Sequence, residues 1–289
     1  MKLTIFTPAY NRAQTLPRLY RSLQYQACHD FEWLIVDDGS TDGTETVARE
    51  FTREQDFPVR YIRKENGGKH TAHNLALEQA RGEWFLCVDS DDYLADGAVA
   101  ALLSFLEERD PPEGVVAYKT DIRGNLLSGA FPQEPDQVKL HSLSMDYGCT
   151  GEFTLVFRTD FAREYPFPVF PGERFITESA IYDRMDREGW FALLRSVITV
   201  CEYQPDGYSR STDNLMRSSP NGFCLYFLQR IDLQRSIVSR LVCAGKYWCF
   251  RSISGNRELE YGGKHGLTVA LGRVLGPVFR LYYKIFRNI

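Results

Sequence analysis

The chain has 289 residues, 44% of them apolar and 25% charged, an ordinary globular composition with length enough for a large core. No run approaches the roughly 18 uninterrupted apolar residues of a membrane span, the opening MKLTIFTPAYN lacks the pattern of a secretory signal, and seven scattered cysteines without a CxxC pair argue for reduced thiols and against a zinc site. Charge is uneven: residues 217–289 hold 12 Lys/Arg against 3 Asp/Glu, a net of +9, and residues 1–216 hold 22 against 35, a net of −13, so an acidic body with a basic tail points to two partners.

In chain order, residues 2–7 read as a strand and Pro8-Ala9-Tyr10-Asn11 as a turn. Thr15 is placed to cap a helix whose Leu16, Leu19, Tyr20 and Leu23 share one face, with Pro17 tolerated in its first turn. Residues 32–36 form a second strand, ending in Asp37-Asp38-Gly39-Ser40-Thr41 before a helix that turns Val47, Ala48 and Phe51 inward. Residues 59–63 form a third strand. Asn66-Gly67-Gly68 then leads into a helix that runs to Gln79 and is closed by Gly82. Residues 84–88 form a fourth strand, and this alternation predicts a parallel α/β sheet.

Beyond residue 105 the pattern loosens. Residues 115–122, 153–158 and 196–203 read as strands, 128–150 as an irregular excursion, and 172–190 as containing a helix closed by Gly189. Residues 204–220 read as loop, and basic, aromatic helices follow from Phe223. The expected division is 1–105, 106–216 and a helical extension over 217–289.

In parallel α/β sheets ligands collect at the carboxyl ends of the strands. There the sequence places Thr7-Pro8-Ala9-Tyr10-Asn11, Asp37-Asp38, Asn66-Gly67-Gly68-Lys69 and Asp89-Ser90-Asp91-Asp92. Neighbouring carboxylates repel, by roughly 4 kcal/mol at 4 Å and an effective dielectric of 20, so the DSDD cluster calls for a compensating charge. Phosphates favour amides and cations and are repelled by carboxylates unless a metal intervenes. Mg²⁺ is characteristically held by one or two carboxylates plus substrate phosphates, so a nucleoside diphosphate bridged by Mg²⁺ or Mn²⁺ fits the parts. The first turn lacks GxGxxG and there is no GxxxxGK[ST], which excludes the usual dinucleotide and P-loop sites.

TPAYNRAQTLPRLYRSLQYQ, EWLIVDDGSTDGT and NGGKHTAHNLALEQARGEWFLCVDSDD, in this order and spacing over about the first 100 residues, resemble the family 2 glycosyltransferases. The resemblance implies a GT-A fold, here with a C-terminal helical extension, and inverting transfer of a sugar from a nucleotide donor, UDP by family habit, to a hydroxyl of a glycan or lipid-linked acceptor. It assigns Pro8, Tyr10, Asp38, Lys69 and Asp89 to nucleotide binding, Asp91 and Asp92 to a Mn or Mg divalent cation, and a structural role to Asp37. It makes Glu178 the catalytic base, although the aspartate that usually follows is replaced by Ser179. That departure motivates the alternative of a non-catalytic, membrane-associated binding protein on the same scaffold.

His70, His73, Cys87, Trp190 and Phe191 read as packing residues, and Tyr208, Ser209 and Arg210 as either diphosphate contacts or part of a plain surface turn. Residues 272–289 mix large apolar residues with Arg273, Arg280, Lys284 and Arg287, as basic amphipathic helices on anionic bilayers do. The protein is accordingly expected in the cytoplasm, at the inner face of the cell membrane, with no nucleic-acid partner.

Overall fold

The computed structural model describes residues 1–53, 56–109, 113–202, 212–287 and 289. It falls into two units, Met1–Pro166 with Arg184–Gln204, and Phe167–Asp183 with Pro205–Ile289.

Among the described residues the first unit contains β1 (Leu3–Ala9), α1 (Leu16–Gln24), β2 (Phe31–Asp37), α2 (Thr44–Phe51), β3 (Val59–Arg63), α3 (Lys69–Gln79), β4 (Trp84–Cys87), β5 (Tyr93–Leu94), α4 (Ala98–Arg109), β6 (Gly114–Asp121), β7 (Gln137–Val138), α5 (Leu140–Met145), β8 (Phe153–Arg158) and α6 (Thr159–Arg163). Helix α7 (Ser179–Glu188) contains the boundary at Asp183, and β9 (Phe191–Cys201) completes the sheet. The strand order is β3-β2-β1-β4-β8-β6-β9-β5, with β7 on β9. Strands β1 to β4 are mutually parallel, β8 is antiparallel to β4 and β6, and β9 is parallel to β6.

Every residue of β1 and β2 is buried, as expected of central strands covered on both faces. Their outward residues pack against α1 and α2 through Leu16, Leu19, Leu23, Trp33, Ile35 and Ala48. Two polar residues mark the amino end of the same strands. The fully buried Glu32 carboxylate accepts from the Thr4 hydroxyl at 2.7 Å and pairs with Arg60 at 3.0 Å. Gly82 does not close α3, whose cap is Ala80. A Cβ at Gly82 would stand 2.3 Å from the Thr4 amide nitrogen, so the missing side chain serves packing against β1. The expected strand at 196–203 begins earlier, at Phe191, because Phe191 and Leu193 are buried against β6. The excursion at 128–150 contains β7 and α5.

The second unit contains α8 (Thr212–Ser218), α9 (Pro220–Leu233), α10 (Ile237–Ser254), α11 (Gly266–Gly272) and α12 (Leu275–Tyr282), followed by a π-turn at Tyr283–Arg287. Residues 212–218 are helical where loop was expected, and Leu215 and Met216 pack on the core of Phe223, Phe227, Tyr247, Phe250 and Tyr283. The segment Phe167–Asp183 adds Phe167, Ile176, Ala180 and Ile181, packed with Leu225. Buried Glu173 caps α9, accepting from the amides of Asn221 at 2.7 Å and Gly222 at 2.9 Å, where a carboxylate also favours the helix dipole.

Candidate active site

The register brings the strand ends together. Ala9 lies opposite Asp37, Asp37 opposite Arg63, and Phe6 opposite Cys87. The chain segments after β1, β2, β3 and β4 therefore emerge side by side at one edge of the first unit. Pro8 is the buried penultimate residue of β1, and Tyr10 just beyond it is exposed. Asn11 takes a left-handed conformation, φ 54°, in which its amide donates to Ser40 Oγ and its side chain accepts from the Thr41 amide. These bonds tie the first loop to the second.

Asp37 is fully buried, and its carboxylate accepts from the Ser40 amide at 2.8 Å and the Tyr61 hydroxyl at 2.6 Å. Asp38 faces the other way. Its carboxylate accepts from Lys64 Nζ at 2.6 Å, the Gly67 amide at 2.9 Å and the Gly68 amide at 2.7 Å. The loop can present both amides because Gly68 sits at φ +96°. Asp38, itself buried, thus organises residues 64–68 beside the end of β2.

Lys69 opens α3 and pairs with Asp89 at 2.5 Å. The Asp89 side chain remains 40% exposed, so a ligand can reach it. Burial works to raise its pKa, but the ammoniums of Lys69 and Lys119 outweigh it and hold Asp89 below the usual carboxylate range. Asp92 is buried and pairs with Lys119 Nζ at 2.7 Å, and Glu152 lies 3.7 Å from the same nitrogen. Burial lifts Asp92 to about 6 despite Lys119, while Asp92 and Asp89 hold the Lys119 ammonium charged against its own burial. Asp91 has no side-chain partner among the described residues. Burial, and then the charge of Asp89, raises its pKa. Arg18 fixes the backbone here, donating to the Asp91 carbonyl and pairing with Glu202.

Lys64 and Lys119 escaped the sequence reading. Lys64 carries a signal, since it follows β3 directly just as Asp38 follows β2, and the strands' last paired residues are Arg63 and Asp37. Lys119 carries none, because it reaches Asp92 only through the register of β9 with β5 and β6.

No cluster of three His, Cys, Asp or Glu side chains able to hold a metal ion is present among the described residues. With Asp89 and Asp92 each bound to a lysine, the arrangement fits a divalent cation held by the Asp91 carboxylate and otherwise by oxygens of a substrate diphosphate and water, the usual manner of Mg²⁺. Glu178 belongs to the second unit, where it is exposed and its carbonyl accepts from Ile181 and Tyr182 in the first turn of α7. Tyr208, Ser209 and Arg210 lie outside the described residues. His73 packs edge-on against Phe6 and Phe85, with centroids 5.6 and 5.3 Å away.

The mixed sheet, with four parallel strands ending in this acidic edge and helices on both faces, is a GT-A-type α/β fold. Solved structures share it: TarS residues 1–349 of Staphylococcus aureus in complex with UDP-GlcNAc align with a TM-score of 0.61 at 19% identity, covering 94% of this chain and 79% of that one. The mannosyltransferase PcManGT of Pyrobaculum calidifontis, in complex with GDP-Man and Mn²⁺, aligns with a TM-score of 0.56 at 17% identity, covering 98% and 88%. Residues 4–145 match the model of glycosyl transferase family 2, and this part of the chain belongs to that family. In sequence the chain is 27% identical over 184 residues to the poly(ribitol-phosphate) beta-N-acetylglucosaminyltransferase TarS of Staphylococcus aureus, 63% of this chain and 32% of TarS. It is 34% identical over 147 residues to a teichoic acid poly(glycerol phosphate) polymerase of Staphylococcus epidermidis, 50% of this chain and 19% of that one. The chain thus spans a third or less of the length of these two relatives.

Proposed function

We propose that the protein is an inverting glycosyltransferase that moves a sugar from a nucleoside-diphosphate donor, UDP first, to a hydroxyl of a glycan or lipid-linked acceptor. The observation that carries the reading is the Asp91 carboxylate, left without a side-chain partner among the described residues between two lysine-bound aspartates, at the strand edge where Asp38 and its loop converge. TarS binds UDP-GlcNAc and PcManGT binds GDP-Man with Mn²⁺ on the same fold. The names of the sequence relatives point to polymers built of polyol phosphates as one acceptor class.

Pro8, Tyr10 and Asp38 hold the nucleoside, with Asp38 accepting from the base. Lys69 and Asp89 take the ribose and diphosphate side. A divalent cation at Asp91, Mn²⁺ or Mg²⁺, would neutralise the charge that grows on the departing diphosphate. Glu178 accepts the proton of the acceptor hydroxyl. The acceptor oxygen forms its bond to the anomeric carbon as the bond from that carbon to the phosphate oxygen breaks on the opposite face. The products are the glycosylated acceptor, a nucleoside diphosphate and a protonated carboxyl on Glu178.

The test is a thermal-shift screen of UDP-, GDP-, CMP- and dTDP-sugars with and without Mn²⁺, followed by transfer assays on Glu178→Gln. A donor at about 100 times its dissociation constant stabilises the protein by roughly 2.7 kcal/mol. The expected result is a Mn²⁺-dependent shift with one nucleotide, kept in Glu178→Gln while transfer and slow donor hydrolysis are lost. Absence of a shift with every donor overturns the reading, and full transfer by Glu178→Gln removes the base assignment.

A further inference from the structure

The second unit ends on a helical face with no partner among the described residues. Helices α11 and α12 lie against α10 through small residues. A Cβ on Gly272 would stand 2.5 Å from Ala244 Cβ, one on Gly276 would stand 2.9 Å from Trp248 Cβ, and one on Gly245 would stand 2.7 Å from both Leu275 and Phe279. This close approach fixes which way the helices face. Val269, Gly272, Gly276 and Tyr283 turn inward and are buried. The opposite face carries Leu267, Leu271, Val274, Val278, Leu281 and Ile285, in steps of 4, 3, 4, 3 and 4 residues, each between 56% and 77% exposed. Tyr282 and Phe286 widen the stripe.

Six large aliphatic residues in one exposed line exceed the scattered apolar residues of an ordinary surface. The charges that the segment itself carries beside them are of one sign. Residues 261–289 contain Lys264, Arg273, Arg280, Lys284 and Arg287 and no Asp or Glu, and all five cations are exposed. Arg273, Arg280 and Arg287 recur every seven residues and so form a column along one flank of the stripe. All three are steadied from within the unit, Arg273 over the Trp248 ring at 5.2 Å, Arg280 by Ser252 Oγ at 2.5 Å and Arg287 by Asp213 at 2.8 Å.

We infer that this face docks on an anionic lipid bilayer, with the apolar stripe at the headgroup and acyl boundary and the arginines and lysines among the headgroups. The charge pattern decides the occupant. A second copy paired along the 4-3 stripe would need acidic residues to meet the flanking cations, and the segment has none. A soluble polyanion would engage the cations and leave the apolar line in water. A bilayer satisfies both. No helix of the described residues is long and apolar enough to cross a membrane, so the contact is interfacial. The inference rests on the second unit alone and stands or falls apart from the reaction proposed above.

The test is co-sedimentation of the full chain with phosphatidylcholine vesicles and with vesicles containing 30 mol% (about one lipid in three) phosphatidylglycerol, at low and high salt. The variants are Val278→Glu, Ile285→Glu and the charge variant Arg273→Gln/Lys284→Gln, each checked for an unchanged melting transition and for its mass in solution. Binding to the anionic vesicles is expected, weakened by salt. It should fall about fivefold for each neutralised cation and at least about tenfold in either glutamate variant. The inference is overturned if anionic vesicles do not bind the chain, or if the glutamate variants bind as well as the parent. It is equally overturned if the parent is a stable dimer that Val278→Glu dissociates, which would assign the face to a second copy. Heparin binding that matches vesicle binding in strength and is insensitive to Ile285→Glu would assign it to a soluble polyanion.

Discussion

Lys119 and Asp92 are joined at 2.7 Å although 26 residues and a whole strand separate their backbones. Asp92 directly precedes β5, whose Tyr93 lies opposite Val200 of β9, and Val200 lies opposite Thr120 of β6. The ammonium is thereby delivered to the DSDD cluster across the sheet. Removing one partner of a buried pair costs about 3–5 kcal/mol, because the other charge is left uncompensated. Lys119→Met should lower the unfolding free energy extracted from urea denaturation by that amount, and Asp92→Asn added to it should recover much of the loss. A Lys119→Met protein as stable as the parent would deny the pair its part in holding the cluster.

Asp38 supports the loop that follows β3. In Asp38→Ala the Gly67 and Gly68 amides lose their acceptor, at about 1–3 kcal/mol for the buried donor left unmade. Hydrogen exchange at Gly67 and Gly68 should quicken while exchange in β1 stays slow. Donor affinity, read by titration calorimetry, should weaken by about tenfold or more. Unchanged exchange in the loop would contradict the geometry.

Asp91→Asn removes the carboxylate available to a cation. The Mn²⁺-dependent part of the donor-induced thermal shift should vanish, with the metal-free shift intact. Transfer should drop about 100-fold or more, the scale of a lost electrostatic contribution to the transition state. Chelation of the parent by EDTA should reproduce both effects and added Mn²⁺ reverse them, whereas Asp91→Asn should resist rescue.

His73 gives the fold a pH dependence of known sign. Burial, then the nearby Lys69, presses its pKa from 6.5 to about 3. Between these values the unfolded chain binds a proton that the native imidazole does not, so this group makes stability rise with pH across the window. The loss on acidification approaches about 1.4 kcal/mol per pH unit from this group. Denaturation at pH 7, 6, 5 and 4 should show a shallower decline in His73→Phe than in the parent. Parallel curves would refute the assignment.

The first half of the fold was legible because its signals are local. Leu3–Ala9, Phe31–Asp37 and Trp84–Cys87 are short apolar runs that end in turn residues, and the helices between them carry one apolar face. Asp38, Lys69, Asp89 and Asp91 stood out for a related reason, each lying in the segment that follows a strand. What escaped depends on contacts distant in sequence. Gly82 looks like a helix stop until β1 is seen packed on its Cα. Lys119 looks like an ordinary strand residue until β9 supplies the register. Thr212–Ser218 lacks a marked period of its own and is helical through Leu215 and Met216 on the core of the second unit. Glu178 could be named from its resemblance alone, since nothing about an exposed glutamate before a helix announces chemistry.

The second unit is assembled from two stretches of chain, Phe167–Asp183 and Pro205–Ile289, separated in sequence by Arg184–Gln204, which carries β9. No single cut of the polypeptide can therefore release it. On the ribosome, Phe167, Ile176 and Ile181 emerge 44 to 58 residues before Leu225, which they pack against. At 5–20 residues per second they wait for roughly 2–12 s, an interval in which this nascent chain offers a sticky surface to chaperones.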